Sequence, residues 1–277
     1  MCSTNRAQRA RATTCEGRSD ESPQPPGAVM RPGALRRAVV VVGCGVLTMT
    51  LSACESTEQE SAKIGREGKQ LVAGQGALKL GAVNHGVRVS QVTLVSGAGR
   101  TAVAAMLTGT ATRAQLDVPV LVEVTGARGK VLYSNEKGGL EASLQRMALL
   151  RSGQGEWWVD DQVLGSQGAT NARLRVGTGS PARAGSTPAT LSTTSPHVAE
   201  EGGVGVLSAN LVNHSATAQS KVPVFAVAVR GGRVVAAGRA VVGALSGHPG
   251  ASVPFQIFLV GKATGANVEL TVVPTAA

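Results

Sequence analysis

Val118, Val120, Val122 and Val124 occupy alternate positions of one short stretch, with Asp117 and Glu123 between or beside them. That period of two puts the valines on one face of a pleated strand and the acids on the other. Valine suits such a strand because its branched Cβ packs well on a half-buried pleated surface. Two further stretches alternate in the same way. In NARLRV (171–176) Ala172, Leu174 and Val176 point inward and Arg173 and Arg175 face water; in NVELTV (267–272) Val268, Leu270 and Val272 point inward. No long amphipathic helical segment competes, and 36 Gly and 12 Pro punctuate the chain. An all-β architecture of short antiparallel strands and frequent turns is expected.

The alternating stretches belong to a longer repeat. Val118-Pro119-Val120 finds an echo in Val222-Pro223-Val224, Gly129-Lys130-Val131 in Gly232-Arg233-Val234, Gly165 in Gly261, and NARLRV in NVELTV. Their order is preserved while the offset moves from 104 to 103 to 96, as for duplicated domains with a longer loop in the first. The segment GTGSPARAGSTPATLSTTSP (177–196) has no apolar periodicity and reads as an interdomain linker. The expected organisation is an N-terminal extension over 1–29, disordered or upstream of the true start, and a leader over 30–53. A polar tether over 54–77, a first β-sandwich over 78–177, a linker over 178–196 and a second sandwich over 197–277 follow.

The leader, MRPGALRRAVVVVGCGVLTMTLSAC, has three parts. Arg31, Arg36 and Arg37 are positive, Ala38–Thr50 is uncharged and mostly apolar, and small residues precede Cys54. The apolar run is short for a membrane span, which needs about 20 residues. Leu51-Ser52-Ala53-Cys54 resembles the lipobox of bacterial lipoproteins. The resemblance implies cleavage between Ala53 and Cys54 and a diacylglyceryl group on the Cys54 thiol. Each buried CH₂ contributes roughly 0.8 kcal/mol and stable anchoring usually takes two chains, which that group supplies. The abundance of Arg over Lys, with Ala, Gly and Val, resembles the GC-rich coding of actinobacteria.

A net charge of +10 raises the question of nucleic acid, but the charges are dispersed. Beyond residue 54 there are 20 basic and 14 acidic residues, with no basic run and almost no interleaved aromatics, so no nucleic-acid partner is expected. The four cysteines (Cys2, Cys15, Cys44, Cys54) all precede residue 55, which leaves the globular part without an internal disulfide or a thiolate metal site.

In the second half the run NLVNHS, then VPVFAVAVRGGRVVAAG, then the Pro249-Gly250 turn before PFQIFLVG, is similar to the small immunoglobulin-like modules of the FxLYD type on bacterial surface lipoproteins. The similarity covers residues 203–274 and, more faintly, 101–177; the F-x-L-Y-D signature itself is absent. It implies two tandem immunoglobulin-like antiparallel β-sandwiches with no catalytic residues.

Few motifs in the chain carry chemistry. G-x-S-x-G, H-E-x-x-H and Walker motifs are missing, and GARGK (126–130) reads as a hairpin turn. His85, His197, His214 and His248 lie far apart in turn-like contexts, so neither metal nor cofactor is expected. Glu156, Asp160 and Asp161 could bind Ca²⁺ or act as acid and base, although solvated carboxylates at a sheet edge are the simpler expectation. Asn213-His214-Ser215 matches a glycosylation sequon, which carries little weight in a lipoprotein. Aligning Gly165 with Gly261 sets Val159 opposite Phe255, which turns Val159 and Trp157 to the core and Trp158 outward beside Asp160 and Gln162. That exposed group would suit stacking on a sugar or anchoring a protein contact.

The sequence therefore points to a lipid-anchored module on the extracytoplasmic face of the cell membrane, non-enzymatic, contacting an envelope protein or cell-wall polymer. The alternatives are an envelope hydrolase or ligand-binding lipoprotein whose site forms only in three dimensions, and a pure spacer.

Overall fold

The computed structural model describes residues 76–275. The leader features at Leu51, Ser52, Ala53 and Cys54 lie outside the described residues. Fourteen strands and two short 3-10 turns make up the described region, which is all-β with every strand pair antiparallel. The first half contains β1 (Val87–Gly97), β2 (Arg100–Gly109), β3 (Gln115–Gly126), β4 (Val131–Ser134), β5 (Arg146–Leu150), β6 (Gly155–Asp160), β7 (Ala169–Val176) and β8 (Ser180–Pro181). The second half contains β9 (Leu191–Glu201), β10 (Val204–Asn213), β11 (Val222–Arg230), β12 (Arg233–Val242), β13 (Ala251–Gly261) and β14 (Asn267–Val272).

Each half is a sandwich whose walls have the same strand order. The sheet β1-β2-β6 in the first half corresponds to β9-β10-β13 in the second, and β4-β3-β7 corresponds to β12-β11-β14. In the second half one ribbon forms both walls, turning where β12 meets β13 at only two pairs, Ala236↔Gly261 and Ala237↔Val260. The irregularities repeat too. A bulge falls between Val124 and Thr125 in β3 and between Ala228 and Val229 in β11, both 104 residues apart. Gln91 and Ser195 sit at φ 52 and 53, and Asp117 and Lys221 both at φ 52, again 104 apart. Left-handed backbone is costly for non-glycine residues, so its recurrence at equivalent sites marks one scaffold used twice.

The alternation in β3 places Val118, Val120, Val122 and Val124 in the first core, each fully buried. Ala172, Leu174 and Val176 of β7 pack against the same core, while Val268, Leu270 and Val272 of β14 pack on the second. Asn171–Val176 and Asn267–Val272 pair with equivalent stretches of β3 and β11, as the repeat requires.

The halves differ in one wall. In the second, β12 lies beside β11 as a single strand from Val222↔Val242 to Arg230↔Arg233, interrupted only by the bulge at Ala228 and Val229. In the first, that position is divided between β4 and β5, with Asn135–Gln145 making an excursion between them. The fully buried Asn135 fills the gap with its carboxamide. Val122 N–H donates to Asn135 Oδ1 at 2.9 Å, and Asn135 Nδ2 donates to the Val120 carbonyl at 2.8 Å. The side chain thus satisfies backbone groups that a neighbouring strand would otherwise pair.

The expected linker does not separate the sandwiches as a free spacer. Within 178–196, β8 pairs with Gln115 and Leu116 of β3, and β9 has begun by Leu191, so the second sandwich starts earlier than 197. The halves also meet face to face. The outer face of β1-β2-β6 contributes Ala102, Ala104, Trp157 and Val159 to an apolar cluster that includes Phe225, Val227 and Ala237 from the outer face of β11-β12. Strand β11 is consequently buried from Val222 to Ala228, with Val222, Val224, Ala226 and Ala228 on its own core and Phe225 and Val227 toward the other half. A strand covered on both sides loses the alternation of burial. At one end the backbones nearly touch: a Cβ on Gly97 would lie 2.7 Å from the nitrogen of Gly261. Glycine at both positions permits that approach.

Candidate functional site

The residues singled out from the sequence lie on β6 and the loop after it, at the junction of the two halves. Their orientation is the reverse of the sequence expectation. Trp158 is fully buried in the core of the first sandwich, where its Nε1–H donates to the Ser143 carbonyl at 3.2 Å. Trp157 faces the second half instead: its backbone N–H donates to Thr271 Oγ1 at 3.0 Å and its Nε1–H to Glu269 Oε2 at 2.8 Å. The cause is a slip of one residue. Val103 pairs with Asp160 and its equivalent Leu207 with Ile257, which sets the offset of β6 to β13 at 97, not 96. Trp158, and not Val159, therefore corresponds to the core residue Phe255, and a slip by one exchanges the two faces of a strand.

The carboxylates are buried rather than solvated. Asp160 Oδ2 accepts from the Tyr133 hydroxyl at 2.6 Å and Oδ1 accepts from the Gln162 backbone N–H at 3.0 Å. Burial pushes the Asp160 carboxyl up to about 6, against the opposing pull of these two hydrogen bonds. Burial and the neighbouring Asp160 raise the Tyr133 hydroxyl as well. Glu156, on the same side of β6, is raised by burial even though it is held by Arg151.

Asp161 begins the connection to β7 and reaches across the junction. Its Oδ1 lies 3.3 Å from Arg239 Nε, and the backbone N–H of Arg239 donates to Oδ2 at 3.2 Å. The Nε and Oδ1 atoms are close but misaligned, so they form an ion pair without a directed hydrogen bond. Arg239 Nη1 also donates to Ser143 Oγ at 2.5 Å. Both charged side chains are buried, and burial raises Asp161 despite the Arg239 charge beside it. The excursion carrying Ser143, the end of β6 and strand β12 are thus pinned together at one buried cation. Nothing in the sequence signalled Arg239 beyond its place in the apolar run of β12.

Gln162 is exposed and lines a cleft of about 630 Å³ with Arg100, Asp161, Leu164 and Gln167. Leu164 stands 77% exposed at the loop tip. The possible contact group Trp158, Asp160 and Gln162 is therefore divided: Trp158 in the core, Asp160 in a buried hydrogen-bonded pair, and Gln162 alone at the surface.

All four histidines are exposed. His197 lies on β9 rather than in a turn, and His214 Nε2 is 2.7 Å from Ser192 Oγ, a pairing the sequence did not indicate. Among the described residues no group of three or more His, Cys, Asp or Glu converges as metal ligands. The sequon residue Asn213 is fully buried, with Nδ2 donating to the carbonyls of Thr217 and Ser246 at 2.9 Å each.

The outer face of β9-β10-β13 is the counterpart of the covered face of β1-β2-β6. Three rows cross it: Thr194–Asn210–Pro254, His197–Ser208–Gln256 and Ala199–Val206–Phe258. Pro254, Gln256 and Phe258 are exposed, and a shallow depression of about 570 Å³ lies over Ser195, His197, Ser208, Asn210, Pro254 and Gln256.

No protein-family model matches this chain, and no match to it is found among curated proteins.

Proposed function

We infer that the chain is a lipid-anchored extracytoplasmic module, held to the cell membrane through Cys54, that acts by binding or positioning rather than by catalysis. The observation that carries the reading is how the perturbed acids are used. Glu156, Asp160 and Asp161 are each engaged by a structural partner, namely Arg151, Tyr133 and Arg239. Shifted ionisation often marks a catalytic group, but structural ion pairs produce it too. Two of these partnerships lie within the first sandwich, and the third, Asp161 with Arg239, ties it to the second, so the shifts accompany structural contacts in a body that can present a surface on a tether. The three-part leader ending in Leu51-Ser52-Ala53-Cys54 supports the anchor. Intact mass of the membrane-extracted protein tests it. A diacylglyceryl-modified chain starting at Cys54, lost in Cys54→Ala, is the expected result; an unmodified chain retaining residues 1–53 would overturn it.

One observation favours a hydrolase instead, the Ser192–His214 hydrogen bond. Ser192 lines a crevice of about 500 Å³ together with Glu156, but that acid is already held by Arg151. A serine-directed fluorophosphonate probe separates the readings: labelling abolished by Ser192→Ala would establish the hydrolase, and absence of labelling supports the binding module.

A further inference from the structure

We propose that the outer face of β9-β10-β13 is a binding platform for an uncharged, hydroxyl-rich glycan chain. The proposal gives a ligand class to the binding module above. Its physical basis is the contrast with the same face of the first half. By the register of the two sheets, Ala102, Ala104, Met106, Trp157 and Val159 correspond to Val206, Ser208, Asn210, Pro254 and Gln256. The first set is apolar and mostly buried against the other sandwich. The second places a hydroxyl and two amides where the first has Ala104, Met106 and Val159.

The chemistry of the face selects the ligand. Its three central rows carry no Asp, Glu, Lys or Arg, so an anionic lipid or nucleic acid would find no charged partner there. What they carry is an imidazole, two hydroxyls and two carboxamides at His197, Thr194, Ser208, Asn210 and Gln256, each offering donors or acceptors. Gln256 Nε2 donates to Ser208 Oγ at 3.4 Å, a long bond that a ligand hydroxyl can replace. Phe258 lies next along β13 and is 54% exposed, with its ring available to the apolar C–H face of a sugar. Pro254, Gln256 and Phe258 follow one another at every second residue, roughly 7 Å apart. A linear polysaccharide lying along β13 would meet apolar, polar and apolar groups in turn. A protein partner is the weaker fit, because a single ring and a proline make a small apolar centre for an interface.

The test is retention of the detergent-solubilised full chain on chitin and on cellulose beads, with elution by chitotetraose or cellotetraose. Wild type is expected to be retained on at least one, and which bead it prefers distinguishes an acetamido-bearing chain from a plain one. Phe258→Ala should cut retention at least tenfold and Gln256→Ala severalfold, with Phe258→Trp preserving it and thermal unfolding unchanged throughout. Failure to bind either bead, retention that survives Phe258→Ala, or retention abolished by moderate salt would each overturn the proposal. If Phe258→Ala alters unfolding, Gln256→Ala decides: retention unaffected by it would overturn the platform. Cys54→Ala should bind the beads as wild type does, so the loss of the anchor and the loss of the platform are read separately.

Discussion

The outer faces of β1-β2-β6 and β9-β10-β13 are built on the same strands, in the same order, with a bulge at the same place, yet one lies inside the molecule and the other meets water. Three positions account for much of the contrast. Ala104, Met106 and Val159 in the first become Ser208, Asn210 and Gln256 in the second. The backbone therefore does not determine which surface is internal. The side chains at every second residue do, because hydrophobic burial scales with apolar area removed from water whatever the strand beneath.

The largest expected effect belongs to the inward side of β6. Trp158→Ala should cost about 3–5 kcal/mol, as for a large aromatic removed from a packed core. Denaturant unfolding measures it, and a variant as stable as wild type would restore the outward orientation. The covered face is broken next by Asp161→Ala, which leaves Arg239 buried and unpaired. A loss of about 3 kcal/mol or more is expected, again read by denaturant unfolding. Replacing Asp161 and Arg239 together by apolar residues should recover much of it.

The junction should also respond to pH. Because the folded state holds the Asp160 proton more tightly than an ordinary carboxyl, its contribution is fully present below about 4 and is lost as pH rises through about 6. Glu156 and Asp161 act in the same direction. Unfolding midpoints should therefore rise as pH is lowered from 7 to 5, and Asp160→Asn should flatten that slope; an unchanged slope would remove Asp160 from the account.

The exposed face can be given the side chains of the covered one. Ser208→Ala, Asn210→Met and Gln256→Val together should produce self-association visible by sedimentation, since a large exposed apolar patch seeks a partner. The smallest effect belongs to the native exposed face: Phe258→Ala should change stability by no more than about 0.5 kcal/mol. A larger loss in thermal unfolding would mean the ring supports the fold.

Much of the fold was legible in the sequence because its strands obey period two where one side faces water. Asp117 and Glu123 alternate with the buried valines of β3, and Arg173 and Arg175 with the inward residues of β7. The repeat was legible because Val-Pro-Val and the following glycine turns sit at fixed places in both halves. The site was not legible, for two reasons. Trp157 and Trp158 are adjacent, so a one-residue error in the inferred register reverses their roles, and only the hydrogen-bonded ladder fixes it. Strand β11 is buried on both sides, and an unbroken apolar run does not say that a second sandwich covers it. The pairing of Asp161 with Arg239 joins residues distant in sequence and carries no local pattern at all.

The carboxamide of Asn135 has a consequence for how such a protein changes over generations or at the bench. A side chain that stands in for a missing stretch of strand frees the chain beyond it to vary in length while the strands on either side keep their register. Ser134 and Arg146 thereby bracket a port, where the second half has none. New sequence entered there would leave the sheet undisturbed so long as the asparagine remains in place.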